Sequence, residues 1–156
     1  MARIYTAQFN AVAATVQQDL FEILAGSNNG ATILRLKLSQ NNKTGDANEA
    51  EFLILIKSGQ TTTGSGGTAP SKVVRDSDDA ASNATVAANN TTKASAGTIV
   101  THYADNWNIR SPYDFIFMPE ERPFLKGGRR GTVELATTPG SSTTISGTIV
   151  WSEGEA

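Results

Sequence analysis

Apolar and polar residues alternate with a period of two in segment after segment of this chain, a pattern that admits strands and little else. In Thr32 to Leu38, Thr32, Leu34, Leu36 and Leu38 fall on one face, and Ile33, Arg35 and Lys37 on the other. Tyr113, Phe115 and Phe117 alternate with Asp114, Ile116 and Met118. Val133 and Leu135 alternate with Thr132 and Glu134, and Ile145, Gly147, Ile149 and Trp151 define a last strand. Glu51 to Ser58 is apolar on both faces, which predicts a central strand covered from two sides. Thr98 to Tyr103 reads as one more strand. The pattern predicts one all-β domain over 1–156, an antiparallel β-sandwich of about eight strands. Its expected core is Leu34, Leu36, Leu38, Phe52, Ile54, Ile56, Phe115, Phe117, Val133, Leu135 and Ile149.

Two regions read less simply. Val12, Val16, Leu20, Ile23 and Leu24 fit a helical stripe closed by Gly26. The same residues fit a hairpin, with Val12, Ala14 and Val16 alternating, a turn at Gln17-Gln18, and Leu20, Glu22 and Leu24 alternating again. The strands elsewhere in the chain favour the hairpin. Ahead of it, 1–9 reads as an N-terminal arm whose Ile4, Tyr5 and Phe9 are apolar enough to join a neighbour's sheet edge. From Gly59 to Gly97 the only large aliphatics are Val73, Val74 and Val86, and aromatics are missing. Such a stretch offers little apolar burial against the entropy of ordering it. It is expected to be a long polar loop over 59–97, mobile or laid on a neighbouring subunit.

The chemistry available to the chain is narrow. Lys and Arg number 13 against 15 Asp and Glu, so no general excess of cations exists to displace counterions from nucleic acid. The sequence lacks cysteine, which excludes disulfides, thiolate nucleophiles and cysteine zinc sites, and its one histidine is His102. No nucleophile–base pair is expected, and His102 reads as a hydrogen-bonded structural residue. Gly64 to Gly67 lacks the Gly-Lys-Ser/Thr ending of a phosphate loop. Asp76, Asp78 and Asp79 lack the spacing and glycine of a calcium loop. Glu120 and Glu121 sit in a turn between Pro119 and Pro123. The expectation is a non-enzymatic protein with no cofactor and no metal. No run of 18 apolar residues and no charged-then-apolar leader is present, so a soluble protein made in the cytosol is expected, with no membrane partner.

Two features point outward instead. Arg122, Lys126, Arg129 and Arg130 concentrate positive charge around Gly127-Gly128, either as a solvated hairpin tip or as a site that docks on an acidic protein surface. Trp107 lies in Asp105-Asn106-Trp107-Asn108 near Tyr103 and Tyr113. It reads as a cap on the core, a protein-interface anchor or a platform for a sugar ring.

Phe9 to Ala14, Gln18 to Ser27 and Ser146 to Glu153, with the Ser/Thr/Gly-rich middle between them, resemble small β-rich virion proteins of tailed bacteriophages. The resemblance implies a jelly-roll or β-tulip sandwich that decorates the capsid exterior as a cement protein, made in the host bacterial cytoplasm. It implies a trimer or dimer, with the major capsid protein as partner and adjacent capsid subunits bridged. The alternative is a glycan- or receptor-binding module of a phage fibre or tail, with Trp107 and Tyr103 on the glycan.

Overall fold

The computed structural model describes residues 2–41 and 51–154. Its elements in chain order are β1 (Arg3–Ala14), β2 (Gln18–Leu24), β3 (Ala31–Gln40), β4 (Glu51–Thr62), β5 (Lys72–Val74), β6 (Thr85–Asn90), β7 (Ser95–Asn108), β8 (Tyr113–Ile116), a 3₁₀ turn (Pro119–Glu121), β9 (Phe124–Leu125), β10 (Arg130–Leu135) and β11 (Thr143–Glu153). All pairings are antiparallel and form two sheets, β5-β1-β11-β3-β8 with β9 also on β3, and β6-β2-β10-β4-β7. The protein is an all-β sandwich, as the alternation requires. The described residues form eleven strands in place of the expected eight or so: β5 and β9 carry too few residues to show a period, and β6 lies in the polar stretch that read as a loop.

The two inner faces meet in one core. Phe9 of the first sheet packs on Phe21 of the second at 5.0 Å between ring centres. At one side Tyr103 of β7 reaches Phe115 and Phe117 at 5.5 and 5.2 Å, stitching the sheet margins together. The expected core residues are buried, with two differences: Phe115 is half-buried at this margin, and Leu34 is half-buried while its neighbour Ile33 is 2% exposed. Opposite β3, Val150 pairs with Arg35 but Trp151 pairs with Ile33, which leaves Leu34 as the extra residue of a bulge. A bulge inverts the inward set on one side of it.

The N-terminal region consists of strands, but not of a hairpin. β1 pairs with β11 and β5, whereas β2 pairs with β10 and β6. The connection at Thr15 to Gln17 therefore carries the chain from one sheet to the other. Nor is 1–9 an arm; residue 1 lies outside the described residues, and from Arg3 onward the segment is an interior strand of the first sheet. Its apolar residues complete the molecule's own sheet, and Tyr5 stacks on Trp151 at 5.8 Å.

The expected long polar loop over 59–97 is also corrected. It contains the end of β4, all of β5 and β6 and the start of β7. Val86, Ala84 and Ala88 are buried in the core, and hydrogen bonds to buried carboxylates order the polar remainder. On the outer face of the second sheet, Glu22 accepts from Thr63 Oγ1 at 2.7 Å, Gly64 N at 2.9 Å and Asn90 Nδ2 at 2.8 Å. Asp19 accepts from Ala94 N at 2.7 Å, and Glu134 accepts from Lys93 Nζ at 2.8 Å while pairing with Lys57. Three buried carboxylates thus hold the polar segment down on its own sheet. At the far end, Glu153 accepts from Ser82 Oγ, Asn83 N and Ala84 N.

Candidate interaction surface

The segment from Pro119 to Arg130 folds as a turn, a two-residue strand and a second turn, and the second turn arranges its charges. Arg129 N donates to Lys126 O at 2.8 Å across Gly127-Gly128, and Gly128 has φ +74°, a left-handed value that glycine adopts without strain. Gly128 N donates to Ala25 O, and Ala25 N to Arg129 O, which fastens the turn to the end of β2. Lys126 and Arg129 thereby stand at the two corners of one tight turn.

Both side chains line an open groove with Phe124, Leu125, Ser58, Gly59, Thr61, Gly97 and Thr98. A close backbone approach forms its far wall. Gly59 and Gly97 have φ +94° and +81°, and a Cβ on either would lie 2.0 or 2.3 Å from the carbonyl oxygen of Thr98 or Gly59. Phe124 is 49% exposed, with its ring laid over Gly30. The groove therefore presents an aromatic face, hydroxyl and carbonyl groups, and two cations. Among the described residues neither Lys126 nor Arg129 has a carboxylate within ion-pair distance, whereas Arg3, Arg35, Lys57, Lys93 and Arg130 each have one.

The other residues expected to meet a partner lie elsewhere. Arg130 begins β10 and alternates to the outer sheet face, where it pairs with Glu22 at 2.6 Å under the polar segment. Arg122 is exposed, and its Nε donates to Phe117 O at 3.4 Å. Tyr5 and Phe9 are core residues at 1% and 8% exposure, and only Ile4 of that trio is accessible. Trp107 packs edge-on to Phe52 and donates Nε1 to Ser111 O at 2.7 Å, so it caps the core and offers no platform for a sugar or a partner. Phe124 carried no signal in the sequence, because its exposure follows from β9 pairing with Ala31 and Thr32, ninety residues earlier in the chain.

The structure also brings together one pair that the sequence did not join. Ser58 Oγ and His102 Nε2 lie 2.7 Å apart, with both side chains reached by solvent. His102 is thus hydrogen-bonded, as expected, with a hydroxyl as its partner. Among the described residues no carboxylate is bonded to the other ring nitrogen to orient the base. Asp76 to Asp79 form an exposed turn tied to Arg3 through Asp79, and no group of three or more acidic or histidine side chains among the described residues converges as metal ligands.

No protein-family model matches this chain, and no curated protein sequence matches it.

Proposed function

We propose that this chain is a non-enzymatic structural protein of a tailed-phage virion. In this reading it decorates the capsid exterior as a homo-oligomer and bridges adjacent capsid subunits. The observation that carries the reading is the groove of Phe124, Lys126 and Arg129. Two cations with no carboxylate partner among the described residues flank an exposed aromatic ring. That combination suits docking on an acidic protein surface, with the ring as anchor and the charges setting orientation and association rate. The resemblance to phage virion proteins supplies the setting, and the acidic patch is assigned to the major capsid protein. Burial of Trp107 takes one of the two aromatic residues, Trp107 and Tyr103, away from the glycan-binding alternative.

The test is addition of the purified protein to undecorated capsids across a salt series. Binding is expected, weakening as the screening length falls from about 10 Å at 0.1 M to about 3 Å at 1 M. Reversing both charges, Lys126→Glu with Arg129→Glu, is expected to abolish it. Capsids that ignore the wild-type protein, or that bind both forms equally, overturn the reading.

A second reading rests on Ser58 and His102: ester hydrolysis with Ser58 as nucleophile and His102 as base. Turnover of a chromogenic acetate ester that disappears with Ser58→Ala would establish it. Turnover that is unchanged by Ser58→Ala dismisses it.

A further inference from the structure

We infer that the protein self-associates by strand addition, the outer edge of β7 pairing antiparallel with β7 of a second copy. This deepens the homo-oligomer of the reading above and names its surface.

β7 is the longest strand, 14 residues, and it ends its sheet, so among the described residues no segment pairs along its outer edge. Twelve of the fourteen residues are exposed. A strand edge of that length is a row of open hydrogen-bonding groups, which proteins ordinarily guard with lysine, proline, a covering loop or shortness. The remaining edges of this sandwich have such guards. The free side of β6 is bridged by Thr68 to Ala88, and just past the end of β6 Ser65 bridges to Thr92. β5 has three residues, and β8 and β9 have four and two, interrupted by Pro119 and Pro123. Ser95 to Asn108 contains no lysine, arginine or proline.

The guard that β7 does carry is local. Register shifts fall between Ile56 and Lys57 and between Ser58 and Gln60, which places bulges in the first half of β7. The second half is straight: Tyr103 to Asn108 pairs residue for residue with Glu51 to Ile56. The open template is therefore Tyr103–Asn108.

Its charge selects the occupant. Asp105 is the one acidic residue in that run and no basic residue is present, so a strongly charged partner strand finds little counter-charge there. A second copy offers an edge of the same length and near-neutrality. A two-fold axis perpendicular to the sheet joins two five-stranded sheets into one of ten, near the upper limit for twisted open sheets. Like charges directly opposite are unfavourable, so Asp105 bars the axis from its own position. The axis falls instead at Ala104 or Asn106, exposed residues that pair with Leu55 and Leu53.

The absence of cysteine makes the test direct. Single variants Thr101→Cys, Ala104→Cys, Asp105→Cys, Asn106→Cys and Asn108→Cys are oxidised and their cross-linked fraction measured, with mass by light scattering on the reduced forms. Only a residue facing its own copy across the axis meets disulfide geometry. The cross-linked fraction is expected to peak at position 104 or 106 and to fall on both sides, and the reduced forms to have the mass of a dimer or of a multiple of it. Ala104→Lys with Asn106→Lys, shown to be folded by circular dichroism, is expected to halve that mass. A monomeric wild type, a flat cross-linking profile, or a lysine variant of unchanged mass overturns the inference. Capsid binding is scored separately. A monomer that binds capsids defeats the edge and keeps the groove, and a dimer that ignores capsids does the reverse.

Discussion

Arg130 lies 2.6 Å from Glu22 beneath the polar segment, while its neighbour Arg129 faces the groove with no carboxylate beside it among the described residues. Arg129 closes the turn after Lys126, whereas Arg130 is the first residue of β10 and takes the outer face of its sheet. One neutralises a buried carboxylate, and the other is free to meet a partner.

Removing the two should have unequal effects. Arg130→Ala leaves Glu22 buried without its cation. The loss is expected at the lower end of about 3–5 kcal/mol, because Glu22 keeps three hydrogen bonds. Arg129→Ala should stay within about 0.5 kcal/mol. Urea unfolding of both variants checks this, and equal losses would mean that Arg130 is not held as described.

The bulge at Leu34 gives a second contrast. Ile33→Ala should cost about 2–5 kcal/mol as a core truncation, and Leu34→Ala clearly less. Ile54→Ala belongs with Ile33→Ala, its side chain being 1% exposed. A larger loss at Leu34 than at Ile33 would place the inward face where simple alternation does.

Acidity should act on the carboxylates that order the polar segment in two opposed ways. Burial raises Asp19 to about 6, above its ordinary 3.8, against the hydrogen bond from Ala94. The folded chain thus holds that proton more tightly than the unfolded chain, and Asp19 costs stability once ionised. Its cost is present above about pH 6 and disappears as pH falls to 3.8. Burial also pushes Glu134 upward, but Lys57 and Lys93 outweigh it and hold Glu134 below its usual 4.5. Glu153 is likewise lowered, its hydrogen bonds outweighing burial. Their stabilising contributions are present above 4.5 and are lost as pH falls through the lower folded values. Stability is therefore expected to rise from pH 7 to about 5 and to fall at more acid pH. Asp19→Asn should flatten the first limb and leave the second, as thermal unfolding across pH would show.

Gly97 in the groove wall and Gly128 in the adjoining turn separate strain from mere turn geometry. Gly97→Ala adds a Cβ 2.3 Å from a backbone oxygen at φ +81°, and about 3 kcal/mol or more is expected. Gly128→Ala meets nothing within 4 Å, so only its left-handed φ acts, at about 1 kcal/mol. Gly97→Ala should also weaken capsid binding, because the wall of the groove must move. Comparable losses at the two positions would argue against the close approach of Gly59 and Gly97.

The alternation of Leu36, Leu38, Phe52, Ile54, Ile56, Val133, Leu135 and Ile149 determined a β-sandwich and most of its core before any fold was known, since a side-chain period of two has one structural meaning. The concentration of charge at Lys126 and Arg129 was equally legible, because a glycine pair between two cations is local information. What tertiary structure decided depends on partners distant in the chain. Tyr5 and Phe9 read as an arm because nothing local shows that β11, more than 130 residues later, closes on them. The segment after Gly59 read as a loop because its order comes from pairing with β2 and from Asp19, Glu22 and Glu134, buried carboxylates on strands far from it in sequence. Arg130 and Arg129 looked alike until the strand and the turn gave each its own surroundings. Trp107, Phe124 and the free edge of β7 likewise took their burial or exposure from which strand lay beside them. Periodicity is written along the chain, whereas pairing is set by the assembled sheets, and pairing decides which groups remain open to a partner.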